Sequence, residues 1–192
     1  MRIIAGDRRG LHFEAVKGNN TRPSTDKVRE ALFNALGQYF EGGNSLDLFA
    51  GSGALSFEGL SRGIDHAIMI DRDYRAIQTI QENAKKLRLE EYSEILRLDY
   101  QQALKHVSRL GIQFRIVYLD PPYKNEYLPL IIEQLITLNL LTPDAQLVVE
   151  HGPDVSLLET YGALTCVYDR TYSISTIKIY EFEDENDDAT DK

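Results

Sequence analysis

The chain has 192 residues, of which 43% are hydrophobic and 27% charged, with a net charge of −9 at pH 7. That composition excludes a disordered polymer, and the length favours one main domain with at most a small appendage. The single cysteine, Cys166, excludes an intramolecular disulfide, and the sequence contains no apolar run of about 18 residues that could span a membrane.

Residues 1–35 carry Arg2, Arg8, Arg9, Lys17, Arg22, Lys27 and Arg29 against four acids, a local charge of +3 in an acidic chain. This is the segment suited to phosphates. Residues 1–16 read as a small β ribbon turning near Gly6 to Gly10. Pro23 favours an extended entry to a helix that Ser24 or Thr25 can cap, and Val28, Ala31, Leu32, Ala35, Leu36 and Tyr39 form its apolar stripe. From there short apolar runs alternate with amphipathic stretches. Strands are expected at 45–49, 67–71, 94–98, 116–119 and 146–150, with helices at 54–62, 74–87, 101–110 and 127–138. This is the pattern of a mostly parallel sheet covered by helices. Residues 165–169 and 172–180 lack a helix-sized insert between them and read as an antiparallel hairpin closing the sheet. Residues 181–192 hold seven acids and one Lys, a solvated tail of charge −6. The organisation expected is an N-terminal ribbon and helix over 1–40, a main α/β domain over 41–182 and an acidic tail over 183–192. No internal repeat is evident. With no signal peptide legible at the start and no second thiol, a cytoplasmic monomer is expected.

Three places carry chemistry. The first is Leu46-Asp47-Leu48-Phe49-Ala50-Gly51-Ser52-Gly53-Ala54-Leu55, a strand entering a glycine turn and then a helix. Gly51 and Gly53 allow close approach of a ligand, and Asp47 can hold an amino group such as that of a methionine moiety. Phe49 lies within the same turn. A merely tight structural βα turn is the alternative for the glycines. A dinucleotide fingerprint would want a third glycine or alanine at position 56, where the chain has Ser56, which argues against a nicotinamide dehydrogenase. The second is Asp71, about 20 residues beyond the turn, where a carboxylate can accept from both ribose hydroxyls. Its alternative is a helix cap, a role open to Asp73 as well. Asp99, after the third strand, suits an adenine amino group or a cap.

The third is Val117-Tyr118-Leu119-Asp120-Pro121-Pro122-Tyr123. Two prolines stiffen the loop and remove two amide donors, leaving carbonyl acceptors beside a carboxylate. An exocyclic base amine needs that arrangement: Asp120 and a proline carbonyl accept its two N–H bonds, and so stabilise the positive charge that grows on nitrogen as it attacks a methyl group. Pro122 borders the substrate side, and Tyr123 offers a stacking face for an extruded base. The bland alternative is a Pro-stiffened turn with a surface tyrosine.

Together these residues resemble the bacterial 16S rRNA guanine-N2 methyltransferases of the RsmD type. The resemblance runs from Arg2-Ile3-Ile4-Ala5-Gly6 through Thr21-Arg22-Pro23-Ser24-Thr25-Asp26-Lys27-Val28-Arg29-Glu30 to the glycine turn and Asp120 to Tyr123. It implies a class I, Rossmann-like fold with a seven-stranded sheet, and S-adenosyl-L-methionine as cofactor. It places Asp47, Phe49, Gly51 and Gly53 at the methionine end, Asp71 at the ribose and Asp99 near the adenine. Asp120, Pro121 and Tyr123 fall at the target guanine. It also implies 16S rRNA as partner, within a small ribosomal subunit or an assembly intermediate, with Arg22 and Arg29 as phosphate contacts. Salt bridges to Asp26 or Glu30 are the alternative for both arginines. Ser56 and the stretch from Ser173 to Ser175 depart from the family pattern, where glycines are usual. The same loop serves adenine-N6 and cytosine-N4 DNA methyltransferases, so a DNA amino-methyltransferase stays open, as does an inactive RNA-binding module of the same fold.

Overall fold

Parallel strands need crossover connections, and five apolar runs separated by helix-length segments supply them. A computed structural model describes residues 1–18, 26–122, 126–172 and 175–182. In chain order the elements are α1 (Asp26–Leu36), β1 (Asn44–Asp47), α2 (Ala54–Ser61), β2 (His66–Asp71), α3 (Tyr74–Leu87), a 3-10 turn at Glu90–Tyr92, β3 (Ser93–Arg97), α4 (Tyr100–Val107), β4 (Phe114–Leu119), α5 (Leu128–Thr137), β5 (Leu141–His151), β6 (Thr160–Tyr161), β7 (Leu164–Tyr172) and β8 (Ser175–Phe182). They form one sheet in the order β3-β2-β1-β4-β5-β8-β7-β6. β3, β2, β1, β4 and β5 are parallel, and β8, β7 and β6 are antiparallel. The expected α/β architecture with its closing hairpin is present. The count differs: the sheet has eight strands among the described residues, because Thr160–Tyr161 adds a two-residue edge strand too short to show a period.

Alternation along the strands sends side chains to opposite faces. Leu46, Ile68, Val117, Leu147 and Val149 pack against α4 and α5. Ala67, Met69, Ile116, Tyr118, Val148 and Ile179 face α1, α2 and α3. The sheet is therefore buried on both sides, and its parallel strands read as continuous apolar runs. Among the described residues no helix is long and apolar enough to cross a membrane.

Two expectations need correction. The helix after residue 25 ends at Leu36 and buries Arg29, Leu32, Phe33 and Leu36, while Tyr39 lies past its end and is 65% exposed. The apolar stripe is rotated because Phe33 packs on Phe40 and Tyr118, drawing Arg29 inward with it. β5 begins at Leu141 rather than near residue 146; a register shift opposite Phe114 and Ile116 lets it pass through Pro143. The proposed capping residues Ser24 and Thr25 lie outside the described residues, as do Ser173 and the acidic tail from 183 onward.

The N-terminal ribbon is narrow, with a single antiparallel bridge between Arg2 and His12. What docks it is Glu58 on α2, fully buried, which accepts from Ile4 N (2.9 Å), Ala5 N (3.0 Å) and Arg62 Nε (2.8 Å). Ile3 and Phe13 seal the contact against the sheet.

Candidate active site

Strand order reverses between β1 and β4, and in an open parallel sheet ligands lie outside the carboxyl ends of the strands at that point. Acids stand at or just beyond those ends: Asp47 closes β1, Asp71 closes β2, Asp99 follows β3, Asp120 follows β4, and Glu150 is the penultimate residue of β5. The first four are legible as candidates in the sequence. Glu150 is not, because its significance depends on lying beside β4.

The turn after β1 contains Gly51 at φ 55° and Gly53 at φ 80°, both in the left-handed region that favours glycine. A Cβ on Gly53 would come within 2.5 Å of the Phe57 ring, so this glycine serves the packing of α2. A Cβ on Gly51 would meet nothing closer than 4.0 Å, which leaves open space over the turn for a ligand. Gly51 N donates to Asp71 Oδ2 at 2.9 Å, and Asp73 N donates to Asp71 Oδ1 at 2.8 Å. Asp71 thus ties the turn to the end of β2, and each oxygen keeps a lone pair for a hydroxyl. The cap of α3 is Asp73, whose side chain accepts from Arg75 N.

Asp47 is 2% exposed. Burial pushes its carboxyl up to about 7, and the negative charge of Asp71 adds to the rise; hydrogen bonds from Ser56 and the Phe49 amide oppose it. Ser56 Oγ donates to Asp47 Oδ2 at 3.0 Å. The residue that departs from the family pattern therefore has a chemical role, holding in place the carboxylate that closes β1. No sequence signal points to it, since a serine one turn into a helix has many ordinary explanations.

Asp99 makes a capping box with Gln102, accepting from its backbone N–H at 2.8 Å, so the cap reading describes what it does here. Beside it an aromatic trio forms. Tyr100 and Tyr127 stack at 4.7 Å with their planes 10° apart, and Phe49 tilts against both at 6.5 and 6.3 Å. These rings begin α4, precede α5 and follow β1, so they border the same crevice from three elements. Only Phe49 was expected there.

Asp120 sits directly after β4, with Pro121 buried and Pro122 exposed. Burial holds its carboxyl well above the usual carboxylate range, and the charges of Glu150 and then Asp47 add to the effect. Tyr123 lies outside the described residues, and so does Arg22.

Arg29 is 1% exposed. Its Nη2 donates to the Arg2 carbonyl at 2.7 Å and to Asp26 Oδ1 at 3.0 Å, and its guanidinium stands 5.7 Å over the Phe13 ring. The ion pair with Asp26 is the alternative left open by the sequence. An outward phosphate contact is closed to Arg29 in this conformation, because the amphipathic stripe of α1 turns it into the ribbon contact.

A family model described as "Conserved hypothetical protein 95" matches residues 1–181. A Bacillus subtilis protein named "Putative rRNA methyltransferase YlbH" is 43% identical over 181 residues, covering 94% of this chain and 98% of that one. The Haemophilus influenzae "Ribosomal RNA small subunit methyltransferase D" is 32% identical over 182 residues, covering 94% and 93%. Among solved structures, the Escherichia coli "Putative methyltransferase yhhF" is 29% identical, with a TM-score of 0.82 over 95% of this chain and 98% of that chain.

Proposed function

Since the chain belongs to the Conserved hypothetical protein 95 family, the RsmD type of methyltransferase, we propose that it transfers a methyl group from S-adenosylmethionine to the exocyclic N2 amine of a guanine in 16S rRNA. The observation that carries this reading is the placement of Asp120-Pro121-Pro122 at the end of β4, across the switch point from the Asp47 and Gly51 turn. Relatives named as small-subunit rRNA methyltransferases support the polymer.

The residues present fit the cofactor. Asp47 can pair with its ammonium, the space over Gly51 admits its chain, Asp71 can take ribose hydroxyls, and the Phe49, Tyr100 and Tyr127 rings offer a face for its adenine. When bound, S-adenosylmethionine would supply an electrophilic methyl on a sulfonium, the C–S electron pair leaving on sulfur as the N–C bond forms and the surplus proton of the methylated amine passing to solvent. Asp120 and the Pro121 carbonyl accept from the amine's two N–H bonds, turning its lone pair out of the ring. The raised affinity of Asp120 for a proton is caused by burial and neighbouring acids, so positive charge entering the crevice restores the carboxylate. Asp120 then stabilises the transition state more than the ground state, because the charge on nitrogen grows only during attack. Residues 1–40 would serve as a basic cover that meets the RNA backbone.

Labelled methyl transfer to small-subunit particles, naked 16S rRNA and DNA, followed by nucleoside analysis, tests the reading. N2-methylguanosine in RNA is expected; label in adenine or cytosine of DNA would overturn it. Asp120→Ala should lower transfer by on the order of a hundredfold or more while cofactor affinity stays within a few fold. Parallel loss of cofactor binding would refute the role given to Asp120.

A further inference from the structure

Leu119 of β4 pairs with Val149 of β5, so the next residues on each strand, Asp120 and Glu150, stand side by side on one face of the sheet. Both line the same small cavity, walled by Val28, Leu32, Leu55 and Ile177 and by the buried Arg29. Among the described residues neither carboxylate forms a hydrogen bond or an ion pair. Two adjacent acids that accept no hydrogen bond cost stability, and Arg29 at the cavity wall does not pair with them, its Nη2 being turned to Asp26 and the Arg2 carbonyl and its Nε and Nη1 having no hydrogen-bond partner among the described residues. Such a pair is suited to a ligand that brings its own donors. The cavity is only about 10 Å³, the room of a single water, so the pair can meet the edge of a base without enclosing its ring.

Guanine presents two contiguous donors on its Watson–Crick edge, the N2 amine and N1–H. Adenine and cytosine present an amine beside a ring nitrogen lone pair. Resting on the guanine-N2 reading above, we infer that Glu150 is the specificity residue of the site: it accepts from guanine N1–H while Asp120 accepts from the N2 amine. A carboxylate facing the ring lone pair of adenine or cytosine would meet repulsion, so one acidic side chain both selects guanine and rejects the other two amino bases. The electrostatic burden that Glu150 places on Asp120 fits this arrangement, since a shared pair of donors relieves both acids at once.

The decisive substrate is 2,6-diaminopurine, which keeps the 2-amino group and has a lone pair in place of N1–H. Small-subunit particles assembled with a synthetic rRNA strand carrying either guanine or 2,6-diaminopurine at the modified position are compared by labelled methyl transfer. The wild-type protein is expected to prefer guanine by on the order of a hundredfold or more, as a site built around a hydrogen bond does. Equal rates on the two bases would overturn the inference without any variant. In Glu150→Gln the amide can rotate to donate to the lone pair, so the guanine preference should shrink by about tenfold or more; a merely structural glutamate would change both rates together. An unchanged ratio in E150Q sinks the role of Glu150 and leaves guanine methylation standing, whereas wild-type protein that puts no methyl on guanine N2 refutes the underlying reading itself.

Discussion

Asp47 is buried at the end of β1 with a proton affinity raised to about 7, chiefly by burial, and Ser56 and the Phe49 amide are its hydrogen-bond donors. A folded-state value above the unfolded one means that Asp47 holds a proton between about pH 4 and 7 that the unfolded chain has released. Its contribution to stability therefore falls as pH rises through that window. Binding a cationic amine requires the carboxylate, so the effect on binding has the opposite sign. The Kd of S-adenosylhomocysteine measured by calorimetry should rise up to about tenfold per pH unit below 7 and level off above it. Ser56→Ala removes a donor that favours the ionised form, and should move this dependence to higher pH. A Kd flat from pH 5.5 to 8 would count against Asp47 as the ammonium partner.

At the scale of elements, one side chain couples the ribbon to the sheet layer. Glu58 on α2 and Arg62 at its C-terminal cap are one turn apart with their side chains 0% and 3% exposed, and Glu58 also takes the amides of Ile4 and Ala5. Arg62 in turn lies 4.8 Å over the Phe33 ring and donates to the Gln38 carbonyl, which ties α1 and its exit to the same pair. Neutralising Glu58 leaves a buried guanidinium without its counterion. Glu58→Gln should cost about 3 to 5 kcal/mol in denaturant unfolding, and limited proteolysis should then cleave near residues 8–11 faster. A loss under about 1 kcal/mol would show that the ribbon is held by Ile3 and Phe13 packing instead. The helices that carry the site are legible because their signals are local: Asp73 caps α3, whose span 74–87 matches the expectation, and Asp99 caps α4. The edge strand Thr160–Tyr161 and the early start of β5 are not, because both exist only through pairing with distant strands.

For the whole molecule the relevant quantity is where charge lies. A protein of net −9 approaches a polyanion only through a local basic surface, and Arg2, Arg9, Lys17 and Lys27 are exposed in the N-terminal segment. Arg2 is already paired with Asp26 at 2.8 Å, whereas the Arg9 side chain makes no hydrogen bond or ion pair among the described residues. RNA affinity should fall with rising salt, and Arg9→Gln should reduce the slope of log K against log salt by about 0.7 to 1. A slope identical to the wild type would place the RNA on another surface.

Properties carried by local order were decided by the sequence alone. Apolar runs at helix-length spacing specify a parallel sheet, the glycines at 51 and 53 mark the turn between β1 and α2, and Asp-Pro-Pro marks the loop that follows β4. Side chains whose meaning lies in a neighbour far along the chain were decided by tertiary structure. Glu150 came beside Asp120 when β5 paired with β4, Ser56 reached Asp47 when α2 folded back on β1, and Tyr100 met Tyr127 when α4 and α5 brought two separate rings to 4.7 Å. Arg29 changed from a candidate phosphate contact to a buried partner of Asp26 for the same reason: a helix has two faces, and only the packing of Phe33 against Phe40 and Tyr118 determines which one turns inward.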